Sequence, residues 1–317
     1  MKRIVGGIVF VVAVVCLTVA SSWKSYRMEN TELNGAPIKI EFPQLRLLEQ
    51  WTMPTDQDWR LIFVGDVHGQ YTELMNIVEG ELGGLDDQTT LVLLGDVVSK
   101  GPDSGRVIQF ILEYRDRVKC VLGNHDLAVL FALVNPELSN HHNLLPLRVG
   151  DSQFIPKDLS KVKKMHQQLA HELGFVKAKS WALHSSLAVQ FTLPNGQILY
   201  GCHAGMLPGD FSQRTPSVHA LTEMKFVDPK DWTHTSKEKF KNSKHWYKLW
   251  DDVSEHITVL YGHDAKRGLN LRSHTKGLDS GCVKGKELSA LQYSYDHITG
   301  KITTKLFQTN CVNNQAK

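Results

Sequence analysis

The sequence has 317 residues, of which 42% are hydrophobic and 22% are charged, as in an ordinary globular protein with a buried core. Its length allows one large domain or two small ones. The formal net charge of +3 is too small to indicate a nucleic-acid partner, so we expect no stable one.

The five cysteines form no CxxC pair, and their odd number and wide spacing define no disulfide framework. We therefore expect mostly free thiols. Cys120 and Cys202 lie inside apolar, strand-like runs, where a cysteine usually acts as a small buried hydrophobic residue.

The N-terminal region contains an uncharged and mainly aliphatic run at residues 4–20, behind a short basic segment at residues 1–3. This run is at the short end of the transmembrane range but is longer than the usual core of a signal peptide. We interpret it as a single membrane anchor with residues 1–3 in the cytosol, which places the remainder of the chain in a lumen or outside the cell. A signal peptide cleaved near Ala20 is the alternative. Residues 21–59, polar with scattered prolines, are interpreted as a linker.

From Arg60 onward, strand-like and helix-like patterns alternate along the chain. The predicted elements are strand 60–66, helix 71–82, strand 90–95, helix 104–114, strand 118–122 and a helix from Leu127. A mainly helical insertion at about 132–185 follows, and then a hairpin of 187–193 and 198–202 around a Pro-Asn-Gly turn. A strand at 257–261 and a hairpin at about 288–308 complete a domain of residues 60–310, and 311–317 form a tail. In α/β folds of this kind the chemistry lies at the strand ends, so the ends of these strands can meet in space.

Polar side chains follow the predicted strands, next to glycines that let the chain turn. They are Asp66, His68, Asp96, Asn124, His125, His203 and His263. A single aspartate after a strand is usually a turn former or a helix cap. Carboxylates, imidazoles and an amide oxygen converging from separate strands instead indicate a pair of divalent cations.

The order of these motifs over about residues 60–292 resembles the phosphoprotein-phosphatase branch of the calcineurin-like metallophosphoesterases, with the signature GDxHG, GDxVxxG, GNHE, HAG and GH. The resemblance implies an α/β fold with a central β-sandwich of two mixed sheets flanked by helices. It also implies two divalent metal ions, zinc first, with manganese, cobalt or iron as alternatives. By this resemblance the first metal is bound by Asp66 and His68, the second by Asn124, His203 and His263, and both by Asp96, while His125 protonates the leaving oxygen.

The chain departs from that signature at the second motif. Protein phosphatases have GDYVDRG where residues 95–101 are GDVVSKG, so Ser99 replaces the aspartate that would orient His125, and the sequence leaves open what takes its place. Residues 277–285, GLDSGCVKG, resemble the GLDTGCVWG of bacterial diadenosine-tetraphosphate hydrolases, which places the chain in the ApaH-like group. His166 lies outside every motif and is interpreted as a residue of the surface or of the insertion.

An anionic substrate requires counter-charge, for which Lys100, Arg267 and Arg272 are the predicted residues. The resemblance to fungal vacuolar, membrane-anchored members of the ApaH-like group implies internal cleavage of inorganic polyphosphate. Dinucleoside polyphosphates, a nucleotide cap and phosphoproteins are alternative substrates, and an inactive membrane-tethered scaffold is the non-enzymatic alternative. The lysine-rich stretch 237–248 is interpreted as a solvated face rather than as a polyanion track. The sequence predicts no oligomeric state.

Overall fold

The computed structural model describes residues 42–136, 138, 144–251, 253 and 256–313. The described residues, from Phe42 onward, form one compact unit. The anchor predicted at residues 4–20 lies outside the described ranges. Within those ranges, no helix is both long enough and apolar enough to cross a membrane.

The chain alternates strands and helices at first and then becomes richer in short strands. The described strands are β1 (Glu49–Thr52), β2 (Trp59–Val64), β3 (Thr89–Leu93), β4 (Val118–Val121), β5 (Leu147–Val149), β6 (Ser152–Phe154), β7 (Ser185–Ser186), β8 (Ala188–Thr192), β9 (Ile198–Cys202), β10 (Phe226–Val227), β11 (Thr235–Ser236), β12 (Lys244–His245), β13 (Ile257–Tyr261), β14 (Asn270–Leu271), β15 (Thr275–Gly277), β16 (Glu287–Asp296) and β17 (Lys301–Asn310). The described α-helices are α1 (Tyr71–Met75), α2 (Ser104–Glu113), α3 (Asn124–Val134), α4 (Lys164–Leu183) and α5 (Val218–Glu223). Helix α1 continues into a π-helical segment, Asn76–Glu81.

Two mixed sheets, each six-stranded in the described part of the chain, form the centre of the fold. One has the strand order β17-β16-β2-β3-β4-β7, and the other has the order β1-β8-β9-β13-β15-β14. Their inner faces share a buried apolar cluster, in which Phe63 of β2 meets Phe191 of β8 edge to face with ring centroids 5.9 Å apart. The neighbouring residues Ile62 and Val64 point the other way, into the cluster that includes the helices. The predicted α/β fold of mixed sheets with flanking helices is therefore confirmed.

The strands that end in polar motifs deliver them to one edge of this sandwich. Strands β2, β3 and β4 run parallel in one sheet, and β9 and β13 run parallel in the other. The loops that follow are joined by backbone hydrogen bonds, from His68 N to the Asp96 carbonyl at 2.8 Å and from Gly262 N to the His203 carbonyl at 2.8 Å. The prediction that the strand ends lie close together is therefore confirmed within each sheet.

The folded body begins earlier than the predicted boundary at residue 60. Leu45 is buried, and β1 pairs in parallel with β8. Within β1, Trp51 stacks on Phe191 with ring centroids 4.9 Å apart. The predicted linker of residues 21–59 is therefore wrong for residues 42–59, because burial of these apolar side chains completes the second sheet.

Two further expectations are corrected by packing that the sequence did not reveal. The segment predicted as a mainly helical insertion contains the β5–β6 hairpin before helix α4. The expectation of free thiols is wrong for Cys282 and Cys311, which form a disulfide that ties the start of the predicted tail to the body. Cys120 and Cys202 are free and buried, as predicted.

Candidate metal centre

The first half of the site follows β2, where Asp66 and His68 are both almost fully buried. His68 Nε2 lies 3.8 Å from Asp66 Oδ2 and 3.5 Å from Asp96 Oδ2, so these three side chains could hold one metal ion. Asp66 Oδ1 accepts a hydrogen bond from the backbone N–H of His263 at 2.9 Å. A Cβ at Gly262 would lie 2.0 Å from that oxygen, so only glycine permits this approach between the two sheets.

Asp96 occupies the middle of the site and directs its two oxygens to opposite sides. Oδ2 faces His68, whereas Oδ1 lies 3.4 Å from His203 Nε2 and accepts the backbone N–H of His125 at 2.9 Å. A Cβ at Gly123 would approach this carboxylate to 2.3 Å, which explains a glycine at the start of helix α3. This placement is the one that a carboxylate bridging two cations requires.

The second half of the site is built from Asn124, His203 and His263. Asn124 Oδ1 lies 3.2 Å from His203 Nε2, and His263 Nδ1 lies 3.1 Å from the same nitrogen. The other ring nitrogens donate to backbone carbonyls, His203 Nδ1 to Leu94 at 2.9 Å and His263 Nε2 to Glu223 at 3.2 Å. A neutral imidazole carries one N–H, and in both rings it is used by a backbone carbonyl. The lone pairs of His203 Nε2 and His263 Nδ1 and the amide oxygen of Asn124 therefore face one another. That arrangement is favourable only around a cation, and carbonyl-oriented imidazoles are typical of metal ligands.

The electrostatics of the site agree with metal binding. Burial lowers the pKa of His68 to about 4 and also lowers the pKa values of His203 and His263, so that these imidazoles are neutral donors. Burial, together with the nearby Asp279 and Asp96 carboxylates, raises the pKa of Asp66. Neutral imidazoles, crowded carboxylates and an amide oxygen form a donor set that fits two divalent cations such as zinc.

Lys100 supplies an independent indication that His68 faces positive charge. His68 Nδ1 donates to the Val98 carbonyl at 3.2 Å, which leaves Nε2 as an acceptor. The ammonium group of Lys100 lies 2.8 Å from this Nε2 atom. Positive φ angles also concentrate in this region, at the non-glycine residues His68, Asp96, Ser99, Lys100 and His263. Such backbone strain is common at functional sites, where the surrounding structure enforces it.

His125 contacts a residue of the predicted insertion. His125 Nδ1 lies 2.8 Å from Nε2 of His166, which is completely buried in helix α4. The backbone N–H of Lys163 donates to His166 Nδ1 at 2.9 Å, so the proton of a neutral His166 is on Nε2 and points at His125. His125 then accepts at Nδ1 and carries its own proton on Nε2. Of the two predicted places for His166, the insertion is correct and the surface is not, because α4 packs against α3.

Most of the predicted site residues line one cavity, together with residues that the sequence analysis did not single out. Asp66, His68, Asp96, Asn124, His125, His263 and Lys100 line it, as do Asp279, Lys225, Lys237, Lys266 and Lys284. His203 is completely buried beneath Asp96 and Asn124. Asp279 follows β15 within the segment that resembles GLDTGCVWG, and this position after a strand was the signal that could have identified it.

Neither of the two predicted arginines belongs to the residues that line this cavity. Arg272 places its guanidinium 2.7 Å from both carboxylate oxygens of Asp251, which neutralises its charge away from the centre. Arg267 lies 2.7 Å from His245 Nε2 and 3.6 Å from an Asp264 oxygen. The two predicted arginines are thus held by other partners, and lysines line the cavity. Phosphate binding by the arginines stays a prediction.

Comparison with known proteins agrees with this site. Residues 60–298 match the family model described as calcineurin-like phosphoesterase. The chain is 42% identical over 298 residues to the zinc-dependent endopolyphosphatase of Saccharomyces cerevisiae, covering 90% of this chain and 91% of that relative. It is 28% identical over 281 residues to the symmetrical bis(5'-nucleosyl)-tetraphosphatase of Nitrosospira multiformis, covering 78% of this chain and 94% of the relative. A crystal structure of a protein assigned as a diadenosine tetraphosphatase superposes with a TM-score of 0.59 at 24% identity, covering 86% of this chain and 100% of the other, and so shares the fold.

Proposed function

Because this chain belongs to the calcineurin-like metallophosphoesterase family, we propose that it hydrolyses phosphoanhydride bonds and that its substrate is inorganic polyphosphate, cleaved internally. The observation that carries the substrate is the cavity above the metal centre, which is lined by Lys100, Lys225, Lys237, Lys266 and Lys284. A linear polyanion presents charge along its whole length and is attracted by lysines on several sides of the centre. The name of the Saccharomyces cerevisiae relative supports the same substrate.

Each side chain of the site has a role in this reaction. The ligands would be Asp66 and His68 for one metal, Asn124, His203 and His263 for the other, and Asp96 for both. When bound, two divalent cations would supply a hydroxide near neutral pH and stabilise charge on the phosphoryl oxygens. The lysines of the cavity hold the phosphate groups on either side of the bond that is cleaved.

His125 provides a hydrogen bond to the oxygen of the leaving chain. Burial lowers the pKa of His125, so its ring is neutral. The contact with His166 holds the ring through Nδ1 and leaves its one N–H, at Nε2, free to donate. As the bond between phosphorus and the bridging oxygen breaks, this hydrogen bond stabilises the negative charge on that oxygen, water supplies the proton that the oxygen takes up, and the shorter polyphosphate departs. The predicted protonation by His125 itself is replaced, because a neutral imidazole that gave up its only N–H proton would become an anion. His166 is therefore a positioning residue that takes the place of the aspartate absent at Ser99. An aspartate would accept a hydrogen bond from His125 Nδ1, whereas His166 donates one to it.

The second candidate substrate is a dinucleoside polyphosphate. It is favoured by the relative from Nitrosospira multiformis and by the segment 277–285, which supplies Asp279 and Lys284 to the cavity. The test offers the purified full chain, loaded with zinc, long-chain polyphosphate, diadenosine tetraphosphate and a phosphoserine peptide at equal phosphate concentration. We expect the highest kcat/KM for polyphosphate. Exclusive cleavage of the dinucleotide or of the peptide would overturn the proposal.

We further propose that residues 4–20 anchor the chain in a membrane with its catalytic domain in a lumen, that of the vacuole. The uncharged aliphatic run behind the basic residues 1–3 supports this topology. Alkaline carbonate extraction and protease protection of isolated vacuoles test it. An intact chain that stays in the membrane pellet and is protected until detergent is added is expected, whereas a soluble or unprotected chain would contradict the topology.

A further inference from the structure

A second cavity adjoins the metal centre. It is lined by Lys157, His219, Glu223, Met224, Thr235, Ser236 and Lys237. Lys237 also lines the cavity above the metal ligands, so this one side chain is shared by both spaces. A chain of phosphate groups that leaves the centre past Lys237 enters the second cavity next.

The walls of this second cavity come from separate parts of the fold. Lys157 follows the β5–β6 hairpin, His219 is on helix α5, and the two hydroxyl residues form β11. Phe154 of β6 packs on the ring of His219 with centroids 4.8 Å apart, which fixes the imidazole from the hairpin side. The hairpin that the sequence analysis missed is therefore the element that brings Lys157 to the site.

The chemistry of the lining fits a phosphate group. Lys157 and Lys237 supply two positive charges, and Thr235 and Ser236 supply hydroxyls. His219 Nδ1 is buried without a hydrogen-bond partner among the described residues, and the closest acidic oxygen, Glu223 Oε1, is 4.0 Å away. Phosphate oxygens accept hydrogen bonds from ammonium, hydroxyl and imidazole N–H groups, so the lining as a set fits an oxyanion.

Glu223 also lines this cavity and is the one acidic residue in the set. Burial raises the pKa of Glu223, while Lys237, Lys157 and Lys161 act in the opposite direction. Its backbone carbonyl accepts from His263 Nε2, so this residue has a structural attachment to the metal centre as well. The two lysines outnumber its single carboxylate, and the cavity keeps a net attraction for an anion.

We propose that the second cavity is a phosphate subsite that binds groups of the substrate chain at a distance from the cleaved bond. The proposal rests on the proposed function, since it assigns a further part of the same polyphosphate to this place. Lys266 and Lys284, which line the metal cavity itself, would hold the chain near the bond that is cleaved. A substrate that fills both the metal cavity and the second cavity is cleaved inside its length, and a short substrate does not reach the second cavity.

The substitution Lys157→Ala in the full chain tests the subsite. The matched control is Lys241→Ala, because Lys241 is an exposed lysine that lies shortly before β12 and does not line either cavity. We expect the KM for long-chain polyphosphate to rise about tenfold in Lys157→Ala, the effect of losing one charge-assisted hydrogen bond. The KM for tripolyphosphate should change less than about twofold, because a contact that the short chain does not make contributes nothing to its binding. His219→Leu should show the same selective effect on the long chain.

The outcomes separate the subsite from the function on which it rests. If both variants change the two substrates equally, or change neither, the subsite is overturned while polyphosphate hydrolysis stands. If the parent protein hydrolyses neither polyphosphate, the proposed function is overturned, and displacement of fluorescent long-chain polyphosphate then decides the subsite. Weaker binding in Lys157→Ala than in Lys241→Ala supports an anion site, and equal binding contradicts it.

Discussion

The metal-binding floor of the cavity and its lysine wall are built in different ways. The floor residues Asp66 and Asp96 follow strands of the central sheet, are almost fully buried, and accept backbone N–H groups that fix their carboxylates. The wall residue Lys266 lies in a loop, Lys284 ends a short 3-10 helix, and both are exposed. By our proposal the sheet therefore determines the reaction, and the segments outside it determine which phosphate compound is bound.

A second contrast lies within the lysine-rich stretch 237–248. Lys237 is partly buried and lines both cavities, whereas Lys239, Lys241, Lys244 and Lys248 are exposed. The interpretation of this stretch as a solvated face holds for the four exposed lysines and fails for Lys237. Position on the fold, and not the density of lysines along the sequence, selects the side chain that can contact substrate.

The largest effect on activity is expected for a substitution of Asp96, which lies at the centre of the metal-binding floor. Asp96→Asn keeps the size of the side chain but removes the charge that serves both halves of the site. We expect loss of bound zinc and a fall in kcat of about a thousandfold, comparable with the loss of a major electrostatic contribution to catalysis. Zinc is measured by atomic spectroscopy, with the exposed Asp116→Asn as the control. An Asp96→Asn protein that keeps both zinc and turnover would contradict the assignment.

Replacement of His125 should be the next most severe change and should leave the metals bound. His125→Ala should lower kcat on polyphosphate by about a hundredfold or more, within the range for loss of one preorganised hydrogen-bond donor. The oxygen of an acidic phenol disperses its negative charge into the ring, so the loss on an aryl phosphate with such a leaving group should be much smaller. Equal losses on both substrates would exclude His125 as the donor to the leaving oxygen.

A smaller loss is expected for His166→Ala, because His166 acts through His125. We expect a fall in kcat of about ten- to a hundredfold, as found for residues that orient a functional imidazole, with little change in KM. His166→Gln should restore part of the activity, since its amide N–H can donate to His125 Nδ1.

The double-mutant cycle distinguishes positioning from a structural role. In a His125→Ala background, His166→Ala should cause no further loss of kcat. Additive losses in the two backgrounds would show that His166 only maintains the fold.

The role of Lys237 in the lysine wall is tested by comparing Lys237→Ala with Lys239→Ala. We expect the KM for polyphosphate to rise about tenfold in the first variant and to stay within about twofold of the parent in the second. The reason is that only Lys237 lines the cavities, although both residues lie in the same loop. Steady-state kinetics on both variants provide the measurement, and equal KM values would contradict the contrast between the two lysines.

The disulfide should affect stability more than chemistry. Cys282 and Cys311 are 29 residues apart, and the bond holds the segment of Asp279 and Lys284 against the end of β17. Cys311→Ser should lower the free energy of unfolding by about 2–4 kcal/mol, as loss of a native disulfide typically does. A reducing agent should lower the melting temperature of the parent but not that of the variant. Identical melting temperatures in oxidising buffer would contradict this account.

The sequence could indicate the floor because Asp66, His68 and Asp96 are each next to a glycine at the end of an apolar strand. Parallel pairing places these strand ends together, and the three side chains lie close enough to hold one metal ion. His166 was not predictable in this way because it lies 41 residues after His125 in an insertion and functions only through tertiary contact. The disulfide has a partial signal in the sequence. Cys282 and Cys311 flank the hairpin expected at 288–308, and the register of this hairpin pairs Glu287 with Asn310, which brings the two flanking segments close together.

Strand β1 shows where the same reasoning stops. Its four residues alternate between half-buried and exposed in the structure, but three of them, Glu49, Gln50 and Thr52, are polar, so the sequence has no alternation of apolar and polar residues that would identify a strand. Arg267 and Arg272 were chosen for their charge, but charge along a sequence does not reveal which carboxylates already hold a guanidinium group. Their contact with substrate stays a prediction.

The central claim is internal cleavage of polyphosphate at this metal centre, and long-chain polyphosphate with both terminal phosphates covalently capped tests it most directly. The zinc-loaded full chain should shorten the capped and uncapped polymers at the same rate and should produce a ladder of intermediate lengths on a gel. The Asp96→Asn protein should leave both polymers intact. Release of orthophosphate from the uncapped polymer alone, with the capped polymer unchanged, would contradict the account.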